Sequence, residues 1–331
     1  MRSFSYMRAD SEAAALQQAE PSDVQFLAGG TTLVDLMKLD VLRPAQVVDI
    51  TPLRRGPAGE IRADGDGLRL GALVSMAEAA AHPAVQSGYP VLADSLRLAA
   101  SAQLRNMASL GGNLLQRTRC PYYRDTSWHA CNKREPGSGC AALEAPNRMH
   151  AVLGTSPACI ATYPGDLAVA LVALDAMIDL ASEGGRRSLR VADLHRPPGE
   201  TPERETNLAP GEMILAIEIP AMPWARRSLF LKIRDRASYE FALASAAVAL
   251  DLQDGVIRQA RVALGGLATV PWRAHEAEQA LEGKRPSDDV FEAAAEVALV
   301  DAQPLRGNGY KVLLGKRTII RALRQAASME I

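Results

Sequence analysis

Cysteine is rare here, and it is confined. The chain has four cysteines in 331 residues, and all of them lie between Cys120 and Cys159. Aromatic residues are scarce as well, at 5%, which argues against a platform for stacking nucleic-acid bases. Neither sign of charge dominates, since 37 basic residues against 38 acidic ones give a net charge of -1. Such a balance supplies no electrostatic footprint for nucleic acid or an anionic membrane. Long apolar runs are missing too. The most apolar stretch, Asp166 to Ala181, is interrupted by Asp175 and Asp179, whereas a membrane span needs about 20 mostly apolar residues. It reads as a buried helix followed by a strand. Near the N-terminus, Arg2 and Arg8 are followed by Asp10 and Glu12 rather than an apolar segment, so no export signal is expected. Ser-His-Asp order, H-E-x-x-H and paired-carboxylate motifs are all absent from the sequence.

What is present is ordinary globular material, 48% hydrophobic and 23% charged, in a chain longer than one compact core usually supports. Two or three domains are expected. The first fifty residues alternate: a strand at Phe4–Ala9, a helix at Ser11–Glu20 with Ser11 as N-cap, a strand at Val24–Gly29, a helix at Thr31–Asp40 and a strand at Ala45–Ile50. That is a β-α-β-α-β unit with a helix-covered sheet. Short strands and turns fill 57–73, and helices are expected near Ser75–Ala81, Tyr89–Ser101 and Asp166–Leu174. Strands follow at Met177–Ala181, Ser188–Val191 and Met213–Ile219, around a proline-rich polar loop from His195 to Glu212. Beyond a boundary near Pro223, three strands (Ser228–Arg236, Phe241–Leu252, Val256–Leu267) precede three helices (Trp272–Leu281, Ser287–Leu299, Gly309–Ala326). This predicts an α+β domain with a three-stranded sheet. The stretch GYKVLLGKRT in the last helix has the wrong spacing for a Walker loop and reads as a solvated helix.

Two small-residue turns stand out. In FLAGGTTLVDL a strand runs through Ala28-Gly29-Gly30-Thr31-Thr32 into a helix. Unpaired amides at a helix start, with glycines that let a ligand near the backbone, suit a phosphate or pyrophosphate. A tight turn with no ligand is the alternative. A second cluster holds Ser109, Gly111, Gly112 and Asn113. The cysteines are spaced C-x10-C-x8-C-x18-C, flanked by Arg, Asn, Pro and Gly rather than by apolar neighbours. Four thiolates suit zinc or a [4Fe–4S] cube, but neither the short zinc knuckle nor the tight ferredoxin pattern occurs, so both stay open, with disulfides behind them. His129 and His150 share the segment. His82, His195 and His275 stand alone and read as surface or structural.

Taken together, LAGGTTLVDLMK, RNMASLGGNLLQRTRCPYYRD, CNKREPGSGC, NRMHAVLG and CIATYPGDLAVALVALDA resemble the FAD-binding medium subunit of the molybdenum hydroxylases, the xanthine dehydrogenase family. The cysteine insertion resembles the subtype with an extra [4Fe–4S] cluster found in bacterial periplasmic aldehyde oxidoreductases. The resemblance implies a vanillyl-alcohol-oxidase-type FAD domain over 1–223, with subdomains of about 1–52 and 53–223 and a cluster-binding insertion at 117–160, then an α+β domain over 224–331. It implies that Phe26, Leu27, Ala28, Gly29, Gly30, Thr31, Thr32 and Leu33 cradle the FAD pyrophosphate. Ser109, Gly112, Asn113 and Asp166 also match cofactor-binding positions, and Leu215 and Lys232 match positions beside the flavin ring. Cys120, Cys131, Cys140 and Cys159 would hold the cluster. The implied function is electron transfer within a heterotrimer. A molybdenum subunit would oxidise an aldehyde or N-heterocycle, a [2Fe–2S] subunit would pass single electrons on, and FAD here would serve an external acceptor. The implied compartment is the periplasm, reached on a partner's signal, or the cytoplasm. A self-sufficient flavin oxidase of the same fold and a zinc-stabilised scaffold are the alternatives.

Overall fold

A computed structural model describes residues 1–19 and 23–331. The chain opens with β1 (Ser5–Arg8), α1 (Glu12–Gln17), β2 (Val24–Leu27), α2 (Leu33–Lys38) and β3 (Gln46–Asp49). Both β1 and β2 pair parallel to β3, giving the order β1-β3-β2. Ser11 caps α1 by accepting from the Ala14 N–H at 3.2 Å. The helix ends at Gln17, short of the expected Glu20, which lies outside the described residues.

The next layer is an antiparallel five-stranded sheet made of β4 (Ile61–Asp64), β5 (Gly67–Gly71), β6 (Met177–Ser182), β7 (Gly185–Arg190) and β8 (Met213–Pro220), in the order β4-β5-β8-β6-β7. Between β5 and β6 run α3 (Met76–Ala81), α4 (Pro83–Gly88), α5 (Pro90–Leu98), α6 (Ala102–Met107), α7 (Leu110–Leu114), α8 (Pro121–Arg124) and α9 (Asp166–Ala173), and α10 (Val191–Leu194) follows β7. The two helices expected between 75 and 101 are in fact three. Pro83 and Pro90 each open a helix at its first position, where a missing N–H costs nothing. Ala100 at φ 47° then breaks the run before α6.

The C-terminal unit has β9 (Ser228–Ile233), β10 (Ala244–Gln253), β11 (Val256–Gly265) and β12 (Trp272–Arg273), then α11 (His275–Leu281), α12 (Asp288–Ala298) and α13 (Tyr310–Ala327). Its sheet has four strands in the order β12-β11-β10-β9, not the expected three. Trp272 and Arg273, expected to start a helix, instead pair with Leu264 and Ala263. Tertiary partners hold them extended: Arg273 reaches Glu278, Val172 O and Asp175. The last helix is not wholly solvated either. Its Gly315, Ile319, Ala322, Leu323 and Ala326 form a buried face.

Helix α9 joins these units. All eight of its residues are buried, and it packs against α5 on one side and β10 and β11 on the other. Its core therefore includes Phe230, Ala247 and Ala263 of the C-terminal sheet. The opposite face of that sheet (Ala246, Val248, Leu250) packs on α11–α13. With both faces covered, β10 reads as a nearly continuous apolar run. Leu171→Ala, at a fully buried position, should cost about 2–5 kcal/mol in denaturant unfolding. Val300→Ala, at a position 74% exposed, should change stability by less than about 0.5 kcal/mol. Equal effects would show that α9 is not the shared core.

Candidate functional site

The glycine turn opens onto a cleft of about 700 Å³ between the first sheet and the five-stranded one. Phe26, Ala28, Gly29, Gly30, Thr31, Thr32 and Leu33 line it on one side, with Ser109 and Gly112 on another. Among the described residues, no N–H from Gly29 through Leu33 is donated within the chain. Val34, bonded to Gly30 O at 3.0 Å, is the first that is. Thr32, at the helix start, makes no side-chain cap. Unpaired amides beside a large cleft are the donor set that a pyrophosphate requires.

The glycines have distinct reasons. A Cβ on Gly29 would stand 1.8 Å from Met107 O, so its bare Cα lets the two small-residue turns touch. Gly30 sits at φ 71°, and a Cβ there would meet Leu27 and Val34 side chains at 3.2 Å. Leu27 thus packs beneath the turn rather than lining the cleft. In the second cluster the backbone is already engaged. Ser109 Oγ accepts from the Gly112 N–H at 3.2 Å, and Leu110 and Gly111 donate to Val74 O and Ala72 O. Asn113 does not line the cleft; its Nδ2 turns to Met76 Sδ, and its Oδ1 is buried without a partner.

The remaining sequence-predicted positions lie apart. Asp166 and Lys232 hold each other at 2.7 Å with side chains 5% and 1% exposed, and Lys232 also donates to Leu98 O. Burial pushes the Asp166 carboxyl above the ordinary carboxylate range, against the pull of Lys232. Leu215 lines a second hollow with Arg55, Arg69 and Arg186. That hollow adjoins the cleft across the shared Ile50, Leu73, Met213 and Ile214, and Lys232 does not reach it. The cleft has walls that the sequence did not advertise: Gln116, Arg117, His195 and the loop residues Glu203–Thr206. His195 is not a surface residue. Its Nε2 meets Leu114 O at 2.9 Å, and its ring lies 4.2 Å from Tyr163. A lone histidine in a polar loop carries no local signal for that placement.

All four cysteines line one small cavity and none is in a disulfide. Cys131 and Cys140 face each other across an isolated bridge. Burial raises the Cys120 thiol to about 12 and the Cys159 thiol to about 11. Backbone N–H groups of Tyr122 and Tyr123 point at Cys120, those of Ala142, Leu143 and Ile160 at Cys140, and that of Ala161 at Cys159. His150 Nε2 lies 3.2 Å from Cys120 Sγ, whereas His129 is exposed. Among the described residues no set of three or more His, Cys, Asp or Glu converges as a single metal ion needs. Four thiols around a shared space without a common centre are a poor zinc set, because zinc draws every sulfur to about 2.3 Å from one point. Four thiols lining one cavity are the soft sulfur donors from which iron–sulfur ligand sets are made.

Two outcomes test this geometry. Gly29→Ala should destabilise the chain by about 1–3 kcal/mol through the forced separation of the turns, and Gly30→Ala by about 1–2 kcal/mol through its left-handed backbone. A Gly29→Ala protein of unchanged stability would contradict the contact. Burial lowers the His195 pKa to about 4. The unfolded chain therefore takes up a proton near pH 6.5 and the folded chain only near pH 4. Stability from the neutral ring is complete above that upper value and is lost as pH falls. Urea unfolding between pH 6.5 and 4 should show wild type losing up to about 1.4 kcal/mol per pH unit more than His195→Gln. Parallel pH profiles would refute it.

Comparison with known proteins places this geometry. A family described as "FAD binding domain in molybdopterin dehydrogenase" matches residues 2–222, and "CO dehydrogenase flavoprotein C-terminal domain" matches residues 230–326. The chain is 46% identical, over 98% of its length and 99% of the relative's, to the aldehyde oxidoreductase FAD-binding subunit PaoB of Escherichia coli K12. It is 28% identical to the glyceraldehyde dehydrogenase medium chain of Sulfolobus acidocaldarius, over 99% and 98% of the two chains. Among solved structures, the fold matches reconstituted CO dehydrogenase from Oligotropha carboxidovorans with a TM-score of 0.78 at 23% identity, covering 99% of each chain. It also matches quinoline 2-oxidoreductase from Pseudomonas putida 86, with a TM-score of 0.75 at 25% identity over 98% and 97% of the chains. The chain belongs to the family of FAD-binding domains of molybdopterin dehydrogenases, as a subunit of a multi-subunit oxidoreductase of the molybdenum hydroxylase type.

Proposed function

We propose that the chain is the FAD and [4Fe–4S] electron-transfer subunit of a molybdenum-dependent aldehyde oxidoreductase. The observation that carries the FAD site is the run of undonated amides from Gly29 to Leu33 at the mouth of the cleft. These amides, with Phe26, Ala28, Ser109 and Gly112, bind and orient the dinucleotide, while Leu27 supports the turn from beneath and Asn113 supports the second cluster through Met76. Leu215 extends the proposed set into the adjoining hollow, and Asp166 and Lys232 belong to it as the buried ion pair that holds α9 against β9 behind the cleft. FAD, when bound, supplies the junction between one-electron and two-electron transfer. The chain's own part is to hold it, exclude water and present it to partners. His195, kept neutral by burial and bonded to a carbonyl, is poorly placed as a substrate base, which supports a relay over a self-sufficient oxidase.

The cluster reading rests on the shared cysteine cavity and on the N–H groups aimed at its sulfurs. Such donors stabilise thiolate ligands and tune potential. The aldehyde assignment rests on the relative of 46% identity. The proposed partners are a molybdenum-cofactor large subunit and a [2Fe–2S] small subunit, with an external electron acceptor. The subdomain limits and the cluster-binding insertion expected from the sequence remain part of this reading, as does the vanillyl-alcohol-oxidase type of fold. So does a location in the periplasm by export on a partner's signal, or in the cytoplasm. Among the described residues no helix is long and apolar enough to cross a membrane.

The purified chain should show flavin bands over a broad iron–sulfur shoulder, with about four irons per chain. Changing any of Cys120, Cys131, Cys140 or Cys159 to Ser should lower the iron content clearly. Stoichiometric zinc, or full iron in all four variants, would sink the cluster. The lone flavin-loaded chain should oxidise no aldehyde, while a three-chain complex should reduce an artificial acceptor with an aldehyde as donor. Aldehyde oxidation by the lone chain would establish the oxidase alternative.

A further inference from the structure

The cysteine segment does more than surround its own cavity, because it grips two walls of the cleft. The first wall is α2, which starts where the glycine turn ends. Its Asp35 accepts from both Arg124 Nη atoms, at 2.8 and 3.0 Å, and from Arg119 Nη1 at 3.3 Å. Its Leu36 is fully buried against Tyr123 and Cys131. The second wall is the polar loop. Glu205 Oε1 lies 2.8 Å from Arg117 Nε and 3.0 Å from Lys133 Nζ. All three side chains are largely shielded, at 18%, 24% and 11% exposure. Neither contact has hydrogen-bond angles, so the attraction is that of charges in a poorly solvated place. Lys133 Nζ also donates to Pro202 O at 2.9 Å, and Ser156 Oγ to Gly199 O at 2.7 Å. The tip of the loop is thereby tied to the segment that carries the thiols, and residues 203–206 form cleft wall.

We propose that Glu205 is a positioning residue for the dinucleotide cleft: held by Arg117 and Lys133, it fixes the 203–206 wall and makes FAD retention depend on the cysteine segment. This rests on the reading of the cleft as the FAD site. Removing the carboxylate leaves two shielded cations without their counter-charge, which is worse than losing an exposed pair. The loop should then lift, and the dinucleotide should leave faster.

The test uses the full chain purified with FAD. FAD release after dilution is followed by the rise in flavin fluorescence, well below the melting temperature. Hydrogen exchange reports on residues 199–205. Glu205→Gln should release FAD about tenfold faster, the change expected for loss of one charged contact, with faster exchange at 199–205. Glu205→Asp, which keeps the charge, should recover most of the wild-type rate. Lys133→Gln, which leaves Arg117 and Glu205 paired, serves if Glu205→Gln fails to fold, and it should speed release in the same direction. In the double variant Glu205→Gln/Lys133→Gln the two effects should not add. Wild-type release from Glu205→Gln or Lys133→Gln, or no rescue by Asp, would overturn the positioning role. Gly30→Val separates the two ideas. If it is flavin-poor while the Glu205 and Lys133 variants behave as wild type, the FAD site stands and the clamp falls. If Gly30→Val keeps full FAD, the cleft reading falls, and this inference with it.

Discussion

The carboxylate at the start of α9 is almost out of reach of water, and the cation that answers it comes from the other domain. Asp166 opens the most buried helix of the chain, and Lys232 approaches from β9 to 2.7 Å. An unpaired charge in that position would be costly, and breaking such a pair from one side typically costs about 3–5 kcal/mol. The two domains are therefore not free to choose their relative placement. Apolar packing of α9 on β10 and β11 supplies the driving force. The ion pair favours the placement that brings Lys232 to Asp166, since any other would leave both charges buried and unpaired. Everything that meets near α9 inherits this fixed geometry: the cysteine segment that ends just before it, Tyr163 against His195, and the inner wall of the cleft.

The cysteine segment presents the opposite problem. It is polar, rich in turns and short of regular structure, yet much of it is buried. Buried backbone must find partners. Part of the answer lies in the arginines: Arg134 donates to Tyr122 O and Tyr123 O, and Arg124 and Arg119 reach Asp35. Another part lies in the N–H groups that turn toward the thiols. The segment thus spends its polar groups in two directions, inward on sulfur and outward on the walls of the neighbouring cleft. That double use ties the two cavities together although they have no lining residue in common.

Much of the fold could be read from the sequence, for reasons that can be named. The β-α-β-α-β opening was legible because Ser11 caps, glycines punctuate and the apolar period switches between strand and helix. The helix α9 was legible because eight apolar or small residues in a row have no solvent face to alternate with. The errors fall where a distant partner overrode local preference. Trp272 and Arg273 look helical beside HEAEQAL, but Arg273 is drawn out by Val172, Asp175 and Glu278. The last helix looks solvated because Lys311 interrupts its apolar pattern. Lys311 is in fact buried, with its ammonium on Met149 O and Gly266 O, and burial lowers its pKa to about 7.

For the candidate site, the sequence by itself determined the donors: a glycine turn at a helix start, and four thiols gathered in one segment. Those are local facts of spacing and backbone freedom. Only the tertiary structure decided which walls enclose them. Glu205 and His195 reach the cleft through a loop whose own sequence is merely polar, and Arg117 and Lys133 pair with Glu205 across more than seventy residues of chain. The reason for Gly29 is likewise non-local, since its missing side chain makes room for Met107 O. A charge finds its partner, and a glycine its neighbour, only after packing has brought distant segments together, and no period or motif in the chain encodes that meeting directly.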